Sequence, residues 1–392
     1  MAALVAVSLS GACAPAGTTP EPARPEPIEE EREPRPEVAA EPPIIGVLVP
    51  LTGPAYLQRY GELIREGAEI AAAQASDAPA ARLVVLDDEG DPQRGALLVR
   101  ELEAAGVVGI VGPLLAEAAR AVANARADPA FVLVSPTASE PLDAPNVYSL
   151  NQPDPSIAGL LARFALAEGL RRVALLYPRL GEHEYQARAF AETFRAGGGE
   201  VVADEGYLTG TTTFAEQMET IAADSPDALL VAAPERDLRQ IAPQIAYYGV
   251  DPAQVRILGS EEWTSDVLRS ALPNARIPEV IAVATALRRP EDPAWRAFVD
   301  AYETQFRRRL DNPYPALGYD AVRLLLAAAD GADRDADDVA RRFASLAGVT
   351  GATGVFSVEQ GVLRRRPLLV RVRTDGLIPL DGSAGGAGVR QR

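Results

Sequence analysis

The sequence predicts an α/β protein made of two doubly wound lobes, each with a mostly parallel sheet. Two observations carry that prediction. From Ile44 onward, short aliphatic runs alternate with segments whose apolar residues recur at helical spacing. Apolar strands separated by helices imply parallel strands covered on both faces. The alternation also occurs twice, with a break near Asn151, so one sheet is finished before a second begins. At 392 residues the chain is long enough for two such units, and an apolar share of 47% supplies ordinary cores.

In the first series, Ile44-Ile45-Gly46-Val47-Leu48-Val49 reads as a buried strand. Leu63, Ile64, Ala68, Ile70 and Ala71 then lay one apolar face along a helix over 57–74. Strand 83–86 and a helix carrying Leu97, Leu98 and Leu102 repeat the unit. Strands 107–111 and 131–134 follow, with an alanine-rich helix between them. The second series runs helix 155–168, strand 173–177, helix 184–196, strand 200–207, helix 213–223, strand 228–231 and helix 237–247. Strands 257–258 and 280–283 complete it. Helices over 293–309, 315–330 and 335–346 come next, then strands 352–357 and 367–373, and a frayed Gly-rich tail over 381–392. Ligands of doubly wound sheets bind beyond the carboxyl ends of the strands, so two lobes facing one another form a cleft suited to clamping a small molecule.

Composition excludes several functions. The net charge of −17 argues against a nucleic-acid partner. All 38 basic residues are arginine, so a phosphate loop ending in Gly-Lys-Ser/Thr is impossible. One cysteine, Cys13, and one histidine, His183, rule out an internal disulfide and a thiolate-rich zinc site. They also leave no Ser-His-Asp or Cys-His catalysis unless His183 itself serves. A two-lobed clamp of the kind the fold predicts is expected to be no enzyme and to use no cofactor. Asp87, Asp88 and Asp91 read as turn chemistry before Pro92 and not as a metal site. Trp263 and Trp295 read as packing residues, and His183 as an exposed, inert side chain or else a contact at the cleft edge.

Residues 1–13 read as a short secretory signal, too short to span a bilayer. Leu9-Ser10-Gly11-Ala12-Cys13 resembles the lipobox of bacterial lipoproteins, although Ser10 stands where an aliphatic residue is usual. That resemblance implies lipidation of Cys13. Residues 14–43, with eight glutamates, three arginines and many prolines, cannot bury apolar surface and read as a disordered tether behind the anchor.

An ordered series of motifs resembles the type I periplasmic binding proteins of the branched-chain amino-acid group. It comprises Ile45-Gly46-Val47-Leu48-Val49-Pro50-Leu51-Thr52-Gly53, Asp87-Asp88-Glu89-Gly90-Asp91-Pro92, Gly109-Ile110-Val111-Gly112-Pro113 and Val134-Ser135-Pro136-Thr137-Ala138-Ser139. Arg172 to Tyr177, Ile257-Leu258-Gly259-Ser260-Glu261, Gly318-Tyr319-Asp320-Ala321 and Gly351-Ala352-Thr353-Gly354 continue it. The resemblance implies a hinge crossed three times, with lobe one from 44–150 plus 286–346 and lobe two from 151–285 plus 347–380. It implies a periplasmic protein that hands an amino-acid-like ligand to an ABC permease. Thr137 and Ser139 would hold the ligand's carboxylate and ammonium, and Glu261 would neutralise the ammonium. Segments 50–56, 112–117 and 135–141 follow lobe-one strands, where helix N-termini favour an anion. Leu114-Leu115-Ala116-Glu117, Glu182-His183 and Pro234-Glu235 depart from the family pattern at ligand-facing places. The stretches Ala233 to Gly249 and Thr350 to Ser357 also resemble the lipoprotein activators of penicillin-binding proteins, which implies the alternative of a scaffold touching a peptidoglycan synthase.

Overall fold

Aliphatic runs that are hydrophobic on both sides become strands here because each has a helix layer above and below it. The computed structural model describes residues 42–74, 81–137, 142–151, 155–285, 292–332 and 335–380. The first series gives β1 (Ile44–Val49), α1 (Ala55–Ala73), β2 (Arg82–Asp87), α2 (Pro92–Ala104), β3 (Gly109–Val111), α3 (Ala116–Ala125), β4 (Val132–Ser135) and β5 (Val147–Ser149). The five strands lie in the order β2-β1-β3-β4-β5, every pair parallel. Alternate residues of β1 serve opposite cores: Ile45, Val47 and Val49 face one helix layer, and Leu48 faces α2 and α3. The start of α2 is set chemically. Asp91 accepts from the amides of Gln93 (2.7 Å) and Arg94 (3.3 Å), and Pro92 supplies a preset first helical residue.

The second series gives α4 (Pro155–Ala167), β6 (Arg172–Pro178), α5 (Glu182–Ala196), β7 (Glu200–Tyr207), α6 (Ala215–Ala223), β8 (Ala228–Val231), α7 (Glu235–Tyr247) and β9 (Arg256–Gly259). A 3₁₀ turn (Glu261–Thr264), α8 (Asp266–Ala271) and β10 (Val280–Ala284) follow. The chain then returns to lobe one as α9 (Pro293–Phe306), α10 (Tyr314–Ala329) and α11 (Ala336–Ala344). A small antiparallel sheet of β11 (Val349–Thr350), β12 (Val355–Glu359) and β13 (Val362–Arg365) comes next. Finally β14 (Leu368–Arg373) and β15 (Gly376–Leu380) add antiparallel strands to lobe two, whose order is β15-β14-β10-β9-β8-β6-β7.

The return to lobe two comes later than 347. Phe356 and Leu363 are buried in one cluster with Tyr148 and Phe343, so β11–β13 pack on lobe one. Phe356 finds its apolar partners there, and lobe two is rejoined only at β14. The described chain therefore passes between the sheets after β5, after β10 and after β13. The elements missing from the sequence reading are all short: β5, the 3₁₀ turn, α8, β11, β13 and β15.

Lobe one is closed by an unusually near approach of α1 and α10. A Cβ at Gly67 would lie 1.6 Å from the Pro315 carbonyl oxygen, and one at Gly318 would lie 2.0 Å from that of Ile64. The two backbones touch because neither glycine has a side chain. Beside them Glu66, buried, accepts from the Tyr302 hydroxyl at 2.8 Å and pairs with Arg308 at 2.5 Å. No helix among the described residues is long and apolar enough to cross a membrane.

Candidate ligand-binding site

Carboxyl ends of strands from both lobes open on one cavity of about 810 Å³. Lobe two contributes Glu182 and Tyr185 from the first turn of α5, Glu235 after β8, Ser260, Glu261 and Glu262 after β9, and Thr285 after β10. Lobe one contributes Thr137 after β4, Asn151 after β5, Tyr314 at the start of α10, and Arg364 and Arg365 from β13. Ile157, Leu161, Leu230 and Val283 add an apolar floor. The wall is thus mixed: carboxylates and aliphatic side chains on lobe two, and guanidinium groups on lobe one. Such a cavity can hold a small molecule that has both charged and apolar parts.

Of the residues expected at a ligand, Thr137 and Glu261 both line this cavity, one from each lobe. The Thr137 hydroxyl donates to the Leu114 carbonyl at 2.8 Å. Glu261 is not a solvated surface carboxylate. Its Oε2 accepts from the Thr285 amide at 3.0 Å and from the Thr285 hydroxyl at 2.6 Å. Ser139 and Cys13 lie outside the described residues, as do the signal-like segment, nearly all of the tether and the tail from 381.

His183 differs from the expectation of an exposed, inert side chain. It is 14% exposed, and its Nε2 lies 3.0 Å from Glu262 Oε1. The first turn of α5 faces the 3₁₀ turn, and this brings the two together. Burial pulls the imidazole pKa down, but the hydrogen bond and charge of Glu262, with Glu182 and Asp237 behind, carry it above its ordinary value. Burial pushes the Glu262 carboxyl up, yet the hydrogen bond and charge of His183 hold it below the usual range.

Two segments expected at the ligand, 50–56 and 112–117, do not line the cavity. Their polar groups serve the fold. Asp87 accepts from the amides of Leu51 (2.8 Å), Thr52 (3.3 Å) and Glu89 (2.9 Å), and from the Thr52 hydroxyl (2.5 Å). Burial raises its pKa, but these four bonds win and leave it lowered. Asp88 holds the Gly90 amide at 2.9 Å, and Asp91 caps α2, so all three aspartates organise a turn. No group of three or more His, Cys, Asp or Glu among the described residues is placed to hold a metal ion. Trp263 is buried and donates from Nε1 to the Val231 carbonyl at 3.0 Å, while Trp295 packs on Phe298 with ring centres 5.8 Å apart. Thr285, Asn151, Tyr314, Arg364 and Arg365 escaped the sequence reading. The run Arg364-Arg365-Arg366, unusual next to a strand, was the one available signal.

Residues 43–376 match the family of periplasmic binding proteins. The chain belongs to that family. A Leu/Ile/Val-binding protein, BraC3, from Rhizobium johnstonii is 25% identical over 278 residues, covering 66% of this chain and 75% of that protein. A Leu/Ile/Val-binding protein homologue from Brucella melitensis is 27% identical over 164 residues, covering 39% of this chain and 44% of its own length. Solved structures share the fold. A protein assigned to a branched-chain amino acid ABC transporter of Rhodospirillum rubrum superposes with a TM-score of 0.75 at 22% identity, covering 86% of this chain and 100% of that one. A substrate-binding protein from Desulfitobacterium hafniense in complex with Leu gives 0.62 at 20% identity, covering 87% and 100%.

Proposed function

We propose that this chain is the extracytoplasmic solute-binding component of an ABC importer, holding an amino-acid-like ligand between its lobes and delivering it to a permease. The observation that carries this reading is the interlobe cavity, whose charged rims and aliphatic floor suit a small ligand with charged ends and an apolar part. Membership of the family supports it, as do relatives whose names record Leu/Ile/Val binding. In this reading Thr137, Ser139 and Glu261 contact the ligand. Contacts made only in the closed form would favour closure, because a ligand shifts a conformational balance only by its differential affinity. A lipid on Cys13 would anchor the protein to the membrane, with residues 14–43 as the tether. Palmitate labelling that persists on Cys13→Ser would count against the anchor.

The test of binding is a thermal-shift screen of amino acids, amides and small acids. A ligand at 100 times its Kd should stabilise the fold by about 2.7 kcal/mol. One observation favours a second reading, a scaffold that binds no small ligand. The Thr137 hydroxyl and Glu261 Oε2 are both engaged by the protein itself. Silence across the screen, together with capture of a peptidoglycan synthase, would select that scaffold over the importer.

A further inference from the structure

We propose that Thr285 is a positioning residue that couples the Glu261 carboxylate on the cleft wall to the chain crossing between the lobes. Thr285 directly follows β10, and the next helix, α9, packs in lobe one, so the residue stands at the start of a crossing. Its amide and its hydroxyl both donate to a single oxygen, Oε2 of Glu261. Two donors from one residue on one acceptor fix the carboxylate more narrowly than either bond alone, since the backbone and χ1 of Thr285 must both be right. Glu261 follows β9, the parallel neighbour of β10, with Gly259 paired to Ala282. The bonds therefore tie together two adjacent strand ends at the cleft.

The other side of Thr285 faces lobe one. A Cβ at Gly354 would lie 3.4 Å from the Thr285 carbonyl oxygen, and 3.0 Å from Cγ and Cδ of Arg365, another cleft residue. Gly354, at φ 148°, ends a turn whose Ala352 and Thr353 amides are held by the buried Asp320 of α10. Thr285 is thus sandwiched between a lobe-two carboxylate and a turn fastened to a lobe-one helix. A rotation at this crossing that draws Thr285 away takes both donors from Glu261. By the reciprocity of coupled equilibria, a ligand that pulls on Glu261 acts back on the crossing.

The ligand half of this proposal rests on the importer reading; the crossing half does not. The experiment uses full-length protein with Cys13→Ser, so that Leu97→Cys on α2 and Tyr247→Cys on α7, both exposed, carry the spin labels. In ligand-free protein, Thr285→Val and Glu261→Gln should each shift or broaden the interlobe distance distribution. The double variant should add nothing, and Thr285→Ser should match the parent. A Thr285→Val distribution identical to the parent, or additive single effects, would overturn the coupling. Calorimetry with L-leucine reads the ligand half: Thr285→Val should weaken binding about tenfold, the scale of one hydrogen bond to a charged group, and Thr285→Ser should restore it. Unchanged leucine affinity in Thr285→Val overturns that half. A parent protein that ignores leucine and the other amino acids tells against the importer reading, and the distance measurement then decides the proposal.

Discussion

Asp320 on α10 and Thr353, 33 residues later, are joined by two hydrogen bonds: Oδ2 accepts from the Thr353 amide at 3.0 Å and from its hydroxyl at 2.5 Å. Oδ1 takes the Ala352 amide at 2.5 Å, so one fully buried carboxylate organises the whole turn. Two motifs that the sequence offers separately, Gly318-Tyr319-Asp320-Ala321 and Gly351-Ala352-Thr353-Gly354, are the two halves of this contact. Gly351 is required by it, because a Cβ there would lie 2.3 Å from Asp320 Oδ1.

Asp320→Ala should therefore be among the most damaging single changes. It strands three buried donors, each costing about 1–3 kcal/mol when unpaired. The expected loss is on the order of 3–5 kcal/mol, read from urea unfolding, with Thr353→Val losing clearly less. An Asp320→Ala midpoint equal to that of the parent would contradict the role assigned to this carboxylate.

Asp88 is wholly buried, and its Oδ2 has no hydrogen-bond partner among the described residues. Burial pushes its pKa up to about 6, against the pull of the Gly90 amide. The folded state then binds more protons than the unfolded state between about pH 4 and pH 6, so stability falls as pH rises through that window. Asp88→Asn keeps the shape without the charge. Relative to the variant, the parent should lose about 2 kcal/mol between pH 4 and pH 7, most of what a shift near two units is worth. Asp320, also raised to about 6 by burial, shifts in the same sense, so the substitution should reduce the slope without abolishing it.

His183 is the chain's single histidine, so its imidazole can be titrated by NMR without assignment. Its pKa should lie above 6.5, and Glu262→Gln should lower it, leaving burial as the main influence. The imidazole has a raised pKa, so its part of the stability is present at low pH and is lost as pH rises through the folded value. The carboxyl of Glu262 has a lowered pKa, so its part is present at high pH and is lost as pH falls through its folded value. The pair is strongest between these limits, in the weakly acidic range. A titration midpoint unmoved by Glu262→Gln would mean that the contact is absent in solution.

Gly67→Leu should unfold lobe one or force α1 and α10 apart, since even a Cβ at that position meets the Pro315 carbonyl oxygen at 1.6 Å. Gly67→Ala should cost more than the ~1 kcal/mol that alanine ordinarily gains over glycine inside a helix. A stabilised Gly67→Ala protein, measured by thermal melting, would refute backbone contact between the two helices.

The fold was largely legible because burial on both faces writes each strand as an unbroken aliphatic run. Val173 to Tyr177 and Ala228 to Val231 could hardly be anything else. The small sheet was not legible. Val349, Thr350 and Val362 to Arg365 are short, half-polar strands whose apolar partners, Tyr148 and Phe343, are distant in sequence. For the same reason the sequence places the boundary between lobes at 347, ahead of its position at β14. At the site, the family resemblance implied Thr137 and Glu261 as ligand contacts but said nothing of what engages them within the fold. The burial of His183 was not legible, because a lone histidine on a polar helix gives no hint of a carboxylate 79 residues away.

The threading of the chain sets the order in which the molecule can be completed during synthesis. The first sheet ends at Ser149, yet the helices that cover its α1 face, α10 and α11, lie between 314 and 344. The second sheet is widened by β14 and β15, which end at Leu380. A nascent chain that ends at Thr285 holds every parallel strand of the described residues and has finished neither lobe. Its apolar surfaces are left without cover, the condition under which intermediates aggregate or engage chaperones. Both lobes are sealed only by residues 293–380: a chain cut before Arg365 leaves the two unfinished together, and one cut between Arg365 and Leu380 leaves lobe two alone unsealed.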